Sequence, residues 1–518
     1  MSALHLCIVL VAAQTFAAPS DSNRPSDDGA GQEAQNHEKI ESSKGKDQPR
    51  PADISAPETA DPRVFEQGLS RYYADDFVPA AAAMYHYIST NEPTVENYEW
   101  GEYFLGVSLK NLGFTQGAAE YLFNVAQNRS RPEILPDALS QIEELVARPH
   151  DEDLIENRLL ADSEFGYLPS HLSGFVAYHK GLADLRDGRL PWAERLFAKI
   201  SEDSPYRARA WYAIGVHHLR EGRNAEAVTF LRRTLQHPKA NREIRNLARL
   251  ALARLLYEAE RYAAAEALYR EVEIPELTTA EASLFLEQAW TSYWLRDYRR
   301  TMGILYALEA PSYADYFAPE RHLLRALVLK NQCHYIPAKR EIRRFRFTYE
   351  STLENIRQRI DLREDDTLRR AALSRSPLSR LALFRHRLTD EADRIDTIGG
   401  SWVEIGLDGQ LHRIYELAAK RTDLRLAARL QEETRTIARE LVEFEEQMYL
   451  LDYEIGLSIY RRLRKEDARR PTEAENLEIP VSGDRAYYAF DEEFWNDELP
   501  AYTFFIENRC FDEGEHEQ

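Results

Sequence analysis

A pattern of about 34 residues constrains this chain more than any other feature of its sequence. It is clearest in ARAWYAIGVHHLREGRNAEAVTFLRRTLQHP, which begins at Ala208 and has Gly215 and Ala227 at positions 8 and 20. Small residues at this spacing let two antiparallel helices approach closely where they cross. Apolar residues such as Trp211 and Leu231, at positions 4 and 24, supply a stripe for packing between the helices. The pattern predicts a pair of packed helices.

The pattern recurs in seven registers, which begin near residues 61, 99, 174, 208, 246, 282 and 319. Position 8 is small in each register: Gly68, Gly106, Gly181, Gly215, Ala253, Ala289 and Ala326. Position 20 is Ala80, Ala118, Ala193, Ala227, Ala265 and Ala338, and the remaining register has Thr301 there. One interval is twice the usual length, and its segment PDALSQIEELVARPHDEDLIENRLL is predicted to be helical and to hold a decayed repeat. Recurrence at this period predicts a stack of helix pairs.

These registers resemble the tetratricopeptide repeat (TPR), in which 34 residues form two antiparallel helices. The resemblance implies an all-α fold, a right-handed α-solenoid of about seven to eight TPR helix pairs over residues 61–350. Long helices and a folded-back C-terminal segment are expected to follow. In TPR domains the first helix of each pair lines the concave wall through positions 2, 5, 9, 12 and 13.

Those positions select a set of candidate partner-binding residues rich in aromatic and basic side chains. Both types are common at the energetic centres of protein interfaces. The set is Tyr178, Arg186, Tyr212, Arg220, Arg254, Tyr257, Trp290, Tyr293, Trp294, Lys330 and Asn331. For each aromatic member the alternative is packing against a neighbouring helix or against the C-terminal region.

After Tyr349 the repeat pattern ends and a helical or coiled-coil-like region, residues 351–470, is expected. Two long helical stretches flank the loop IDTIGGSWVEIGLDGQL, which is interpreted as a turn or a short hairpin. In the second stretch apolar residues alternate at spacings of four and three: Ile437, Leu441, Phe444, Met448, Leu451 and Ile455. This seam is typical of coiled coils. The helix would pack back on the solenoid, pair with the preceding helix, or dimerise.

Charge is segregated along the chain, whose net charge is −21. That balance argues against nucleic-acid binding, since phosphate contacts need a basic face. Residues 339–387 are rich in Arg and Lys, whereas residues 471–518 form an acidic, aromatic C-terminal cap. We expect the basic stretch to pair within the fold, and the alternative is that it faces an anionic surface or an acidic partner.

The first residues, MSALHLCIVLVAAQTFAAPS, are uncharged and apolar, with small residues before Ala18. They predict a signal peptide over residues 1–17, the alternative being a buried apolar N-terminus. Residues 18–60 are polar and poor in large apolar side chains, so a disordered linker is expected. The expected location is outside the cytoplasm, in the periplasm or associated with the outer membrane. No later stretch has the length and apolarity of a membrane span.

The sequence contains no motif that identifies a reaction. It lacks GxGxxG, P-loop, GxSxG and HExxH motifs, and it has no cluster of Cys and His at metal-ligand spacing. His217 and His218 are adjacent and diverge by about 100° on a helix, so they do not share a metal ion. We expect neither enzymatic activity nor a cofactor, and a cryptic catalytic site is the interpretation ranked last.

The chain has three cysteines, and Cys7 lies in the predicted signal peptide. Export permits disulfides, and the two remaining cysteines allow one intramolecular pairing. We therefore predict a Cys333–Cys510 disulfide that fastens the aromatic ending to the last repeat. The alternative is two unrelated thiols.

The cysteine in KNQCHYIPAK and the closing segment FWNDELPAY, with a cysteine after it, resemble a group of exported TPR proteins of gliding and predatory bacteria. The resemblance implies a non-enzymatic scaffold of the cell envelope. Such a scaffold would bind a segment of a protein partner in the concave groove and assemble a motility or secretion machine. The alternative is an envelope accessory protein that binds glycan or peptidoglycan.

Overall fold

The computed structural model describes residues 62–128, 132–161, 165–376, 378–466 and 493–510. The predicted signal peptide (1–17) and the predicted linker (18–60) lie outside the described residues. So do residues 467–492 and 511–518, which make up most of the predicted C-terminal cap.

Within the described residues, helices follow one another in pairs from residue 62 to residue 357. The first three pairs are α1 (Pro62–Tyr73) with α2 (Phe77–Thr90), α3 (Tyr98–Asn111) with α4 (Thr115–Asn128), and α5 (Leu135–Val146) with a π-helix (Asp153–Ala161). The next three are α6 (Ser170–Arg186) with α7 (Leu190–Ala198), α8 (Pro205–Arg220) with α9 (Asn224–Gln236), and α10 (Arg242–Glu258) with α11 (Tyr262–Arg270). The last two are α12 (Thr279–Trp294) with α13 (Tyr298–Ala307), and α14 (Glu320–Asn331) with α15 (Tyr335–Arg357).

Four further helices follow these pairs. They are α16 (Asp366–Ser374), α17 (Leu378–Ile398), α18 (Ser401–Ile405) and α19 (Leu407–Glu466). Short 3₁₀ turns lie at Pro311–Tyr313 and Leu499–Ala501. The described residues form helices and no strand, so the predicted all-α fold of consecutive helix pairs, an α-solenoid, is confirmed. The segment expected to hold a decayed repeat forms α5 and the π-helix.

The chain divides into two compact units. Among the described residues, the N-terminal unit comprises residues 62–161 together with Asp390–Glu416. The C-terminal unit comprises Phe165–Thr389 together with residues 417–466 and 493–510. Each unit therefore contains a run of helix pairs and a segment that is remote from them in sequence.

The small residues of the repeat lie where the two helices of a pair meet. At position 20 all six alanines and Thr301 have 0% of their surface exposed. Position 8 faces position 24 of the same pair, and a Cβ at Gly181 would come within 2.2 Å of the Phe197 ring. A larger residue at position 8 would therefore force the pair apart.

Every first helix in the seven registers ends in the same backbone geometry. Position 15 has a positive φ in each: Asp75 (56°), Gly113 (81°), Gly188 (72°), Gly222 (70°), Glu260 (58°), Arg296 (62°) and Cys333 (59°). In the last register the next N–H, from His334, donates to the Leu329 carbonyl at 2.8 Å. This is the left-handed helix cap, which satisfies carbonyls that the helix end leaves unpaired. One cap per register supports the assignment of the registers independently of side-chain type.

In the N-terminal unit, the segment Asp390–Glu416 docks on the second helices of the first two pairs. The Trp402 side chain is fully buried, and its Nε1 donates to the Val78 carbonyl of α2 at 3.0 Å. Of the turn or short hairpin expected for this loop, the structure has turns, at Gly400 and Gly406, and no hairpin. Around Trp402 the chain forms the short helix α18 between glycines with positive φ, a conformation that glycine adopts without steric cost.

In the C-terminal unit, α19 packs back on the last helix pairs through the predicted seam. All six seam residues are buried, with exposures between 0% and 6%. Leu441, Phe444, Met448, Leu451 and Ile455 belong to the apolar core that also contains side chains of α12–α15. Two of the three arrangements expected for this helix are observed: α19 packs back on the repeats, and it also pairs with the preceding helix α17, where Arg385 Nε donates to Asp423 at 2.7 Å and Ile437 shares a core cluster with Leu378.

Basic residues of α15 pair with acidic residues of α19. Asp452 lies 3.2 Å from Lys339 and 3.8 Å from Arg346, and Glu445 pairs with Arg357. Internal pairing of the basic stretch is therefore present, although these partners belong to α19 and not to the acidic cap. The pairs are partly exposed, and each contributes little to stability.

The ending of the described chain lies along α13 and the turn between α14 and α15. Cys510 forms a disulfide with Cys333, with Cα atoms 5.1 Å apart, so the predicted pairing is confirmed. Backbone hydrogen bonds flank it, since the Arg509 N–H donates to the Gln332 carbonyl at 3.0 Å. The Phe504 ring stacks on Tyr306 of α13 with ring centroids 4.8 Å apart. The predicted folding back of the C-terminal segment is observed for residues 493–510.

Candidate partner-binding face

The eleven candidate residues lie on α6, α8, α10, α12 and α14, the first helices of five successive pairs in the C-terminal unit. We call this set the first-helix face. Each helix contributes through the same repeat positions, so regular stacking aligns the side chains from one helix to the next. The structure separates the set into buried, hydrogen-bonded and exposed members.

Four aromatic members are buried. Tyr178, Tyr212, Tyr257 and Trp290 have exposed fractions of 7%, 5%, 5% and 5%. Tyr178 packs against Tyr206, with ring centroids 5.4 Å apart. Burial raises the pKa of Tyr212 to about 12. These side chains pack against neighbouring helices, which is the alternative to partner binding given for the aromatic candidates. They present little surface to a partner.

Hydrogen bonds between first helices fix the orientation of the two tryptophans. Trp294 Nε1 donates to the Tyr257 hydroxyl at 2.7 Å, which joins α12 to α10. Trp290 Nε1 donates to Glu320 Oε1 at 2.6 Å, which joins α12 to α14. Because an unpaired indole N–H in a buried site costs free energy, these bonds also stabilise the stacking of the repeats.

Arg254 belongs to an ion pair inside the face. Its Nε and Nη2 donate to the two carboxylate oxygens of Glu287 at 2.9 and 2.7 Å. Burial acts to lower the pKa of Arg254, but the Glu287 carboxylate outweighs burial and raises it. A bidentate guanidinium–carboxylate pair holds both groups in one geometry. The side chain of Arg254 therefore connects α10 to α12, and its guanidinium is already engaged by Glu287.

The end of the face is connected to α19. Asn331 Nδ2 donates to the Tyr293 hydroxyl at 2.9 Å, and Lys330 forms an ion pair with Glu454 of α19. Tyr293, Trp294 and Lys330 are partly exposed and Asn331 is exposed. This end of the face combines an anchored polar network with aromatic surface.

Arg186 and Arg220 are the exposed basic members. Both occupy position 13, the end of the first helix, in successive pairs α6–α7 and α8–α9. Although Arg220 as a residue is exposed, neighbouring atoms partly desolvate its guanidinium, which lowers its pKa. Leu182, Leu185 and Leu219 lie on the same helices and are partly buried. This half of the face offers positive charge beside apolar surface.

Glu320 was not selected from the sequence as a residue of the first-helix face. Glu320 occupies position 2 of its register, one of the five positions used, yet only aromatic, basic and amide residues were selected. The pKa of Glu320 is raised to about 7, mainly by burial and in part by the nearby Glu440 and Glu287, although the Trp290 hydrogen bond acts to lower it. Position alone would have found Glu320, but the sequence gives no indication of its pairing with Trp290.

The described residues contain no group of three or more His, Cys, Asp or Glu side chains placed to hold a metal ion. Among those same residues, no helix combines the length and the apolar character needed to cross a bilayer.

No protein-family model matches the chain, and no curated protein matches it. Among solved structures, the chain is similar to one described as the crystal structure of the apo form of RapI, at 12% sequence identity and a TM-score of 0.30. The match covers 71% of this chain and 98% of that chain. A similarity with so low a TM-score carries no argument about function. The description of this chain as an all-α helical-repeat protein rests on its own registers and helix pairs.

Proposed function

We propose that the protein is an exported, non-enzymatic TPR scaffold of the cell envelope that binds a segment of a protein partner along the first-helix face. In this proposal the partner belongs to an assembly such as a motility or secretion machine. One observation carries the proposal: aromatic, basic and amide residues at equivalent repeat positions lie on five successive first helices and hydrogen-bond from one helix to the next. Buried tyrosines and tryptophans hold that face in a fixed shape, which lowers the entropic cost of binding.

The charge of the face favours a particular kind of segment. Arg186 and Arg220 are exposed beside partly buried leucines, and Tyr293 and Trp294 add aromatic surface farther along. A partner segment with acidic and apolar residues would complement this surface, since charge complementarity directs partner choice and association rate.

The proposed location outside the cytoplasm has support from two regions. The first seventeen residues have the composition of a signal peptide, and the Cys333–Cys510 disulfide is typical of oxidising compartments. Detection of a shortened chain in the envelope fraction, with its new N-terminus at Ala18, would support export. An uncut chain in the cytoplasmic fraction would contradict it.

Crosslinking in envelope extracts tests the binding face. We expect wild-type protein to crosslink to a protein partner and the Arg186→Glu/Arg220→Glu variant to lose that partner. Arg232→Glu is the matched control, because Arg232 is exposed on α9, the second helix of its pair. Equal capture by the three proteins would reject the face as the binding site. Sedimentation with purified cell wall, without any protein partner, would favour the glycan-binding alternative.

A further inference from the structure

The helix α19 carries a second apolar stripe on the side opposite its buried seam. We call it the outer stripe. Its residues are Leu450, Tyr453, Leu457 and Tyr460, with exposed fractions of 66%, 67%, 37% and 56%. Leu450, Tyr453 and Leu457 each lie two positions after a seam residue, which corresponds to about 200° around a helix, and Tyr460 continues their line one turn later. The seam therefore faces the repeats and the outer stripe faces away from them.

The exposed apolar surface extends beyond the outer stripe. Tyr449 and Leu463 extend the same surface and are 52% and 58% exposed. Scattered apolar residues are common on protein surfaces, but contiguous patches mark interaction sites. The spacing of three, four and three residues is also the spacing by which one helix packs along another.

The outer stripe has a charge of opposite sign at each end. Glu446 lies about one turn before Leu450, and Arg464 lies about one turn after Tyr460. Both side chains are exposed, and both fall in line with the outer stripe. The distance from Glu446 to Arg464 along the helix is about 27 Å at 1.5 Å per residue.

The outer stripe and its flanking charges are arranged symmetrically along the helix about residue 455. Residue 455 lies midway between Glu446 and Arg464, between Leu450 and Tyr460, and between Tyr453 and Leu457. We propose that the outer stripe binds the outer stripe of a second copy of this chain, antiparallel and about a two-fold axis near residue 455.

Symmetry decides the direction of the pairing. An antiparallel pair places Glu446 of each copy opposite Arg464 of the other and closes on itself as an isologous dimer. A parallel pair would place Glu446 against Glu446 and Arg464 against Arg464. Each such pair contributes little by itself, but attraction in the antiparallel alignment and repulsion in the parallel one together favour the antiparallel dimer.

The area is sufficient for an association that depends on concentration. Two tyrosines, two leucines and the flanking Tyr449 and Leu463 would bury roughly 600 Å² on each copy, given about 150–250 Å² for a fully buried aromatic side chain. Stable interfaces bury about 800 Å² on each partner, so this one lies at the weaker end of the range.

Sedimentation equilibrium of the full chain at about 1 to 100 μM tests the proposal. We expect a monomer–dimer equilibrium for wild-type protein. Tyr453→Glu should raise the dimer dissociation constant about tenfold or more, because it places a charge at the centre of the apolar contact. Leu424→Glu is the control: Leu424 is 75% exposed on the same helix but lies outside the outer stripe, so the equilibrium should not change.

Charge exchange tests the direction. Glu446→Arg and Arg464→Glu should each weaken the dimer, and the variant with both changes should recover it. A circular dichroism spectrum of each variant confirms that the helices are intact. Failure of the double variant to recover the dimer would overturn the antiparallel alignment.

A chain that stays monomeric at 100 μM would overturn the proposal as a whole. Protection of Tyr453 and Tyr460 from hydroxyl-radical oxidation in that monomer would then assign the outer stripe to residues 467–492. Oxidation of both tyrosines would leave the outer stripe without an occupant in the isolated protein.

Discussion

The two units attach a sequence-remote segment to their helix pairs by different means. In the N-terminal unit the attachment is made by side chains. Glu391, which is 3% exposed, accepts hydrogen bonds from Thr115 Oγ1 at 2.6 Å and from the Gln116 backbone N–H at 3.2 Å. A carboxylate at the start of α4 also favours the positive end of the helix dipole. Trp402 fills the adjacent apolar site.

In the C-terminal unit, residues 493–510 add backbone hydrogen bonds and a covalent bond to side-chain packing such as that of Phe504 on Tyr306. The Phe504 N–H donates to the Arg299 carbonyl at 2.9 Å, and Cys510 is bonded to Cys333. The backbone at Tyr502 passes so close to α13 that a Cβ at Gly303 would lie 2.0 Å from the Tyr502 carbonyl oxygen.

The difference shows what each attachment depends on. Packing of Trp402 and hydrogen bonding of Glu391 need only the folded N-terminal unit. The Cys333–Cys510 bond needs an oxidant, so the C-terminal attachment depends on the compartment in which the chain folds. Four experiments test how far the two units differ.

Removal of the disulfide should have the largest effect. A crosslink that closes a loop of 177 residues contributes up to about 5 kcal/mol to stability in the chain-entropy model. Cys510→Ser should therefore lower the free energy of unfolding of the C-terminal unit and speed hydrogen exchange in residues 298–357. The exchange of residues 77–128 is the internal control. Unchanged exchange around Cys333 would show that the disulfide contributes nothing.

Truncation of the buried tryptophan should have the next largest effect. Trp402→Ala removes a fully buried side chain, which typically costs about 3–5 kcal/mol. Hydrogen exchange should accelerate in α2, whose Val78 carbonyl accepts the Trp402 hydrogen bond, and around Phe114, whose ring centroid lies 5.5 Å from that of Trp402. Trp495→Ala is the control, because Trp495 is 40% exposed. Equal effects of the two variants would contradict the anchoring role of Trp402.

Alanine substitutions at two glycines compare a close contact with backbone, at Gly303, with a close contact with a side chain, at Gly117. Gly303→Ala meets the Tyr502 backbone, whereas a Cβ at Gly117 would lie 2.8 Å from the Leu411 side chain, which can rotate away. We expect Gly303→Ala to destabilise its unit by about 1–3 kcal/mol and Gly117→Ala by less, measured by chemical denaturation. A larger loss of stability for Gly117→Ala than for Gly303→Ala would contradict the distinction between backbone and side-chain contacts.

Each unit contains a buried glutamate with a raised pKa, and the resulting pH dependence of stability is the smallest of the expected effects. Burial raises the pKa of Glu102 in the N-terminal unit, and that of Glu320 in the C-terminal unit, to about 7. Each folded unit therefore binds more protons than its unfolded form between pH 4.5 and 7, and stability should fall as the pH rises through that window.

Glu102→Gln and Glu320→Gln should remove this pH dependence. We expect each to raise the free energy of unfolding at pH 8 by the order of 1–2 kcal/mol and to change it little at pH 4.5. Denaturant titrations at the two pH values measure the difference. Gains of equal size at both would show that the carboxyl groups do not titrate with folding.

The sequence predicts the repeats, the buried seam of α19 and the disulfide because each follows from local periodicity or from a small number of cysteines. It does not predict the docking of Trp402 on Val78 or the close approach at Gly303. Those contacts join residues about 200 to 320 positions apart, and nothing local to either residue indicates its partner. On the first-helix face, repeat position selected residues that share a face, but burial of Tyr212 or Trp290 depends on the spacing of neighbouring helices.

Peptide mapping of the denatured, unreduced protein tests the covalent attachment most directly. Free thiols are blocked before digestion, and the linked peptides are identified by mass. We predict one disulfide-linked peptide pair that contains Cys333 and Cys510. Separate peptides with both cysteines alkylated would contradict a covalent attachment of the C-terminal segment.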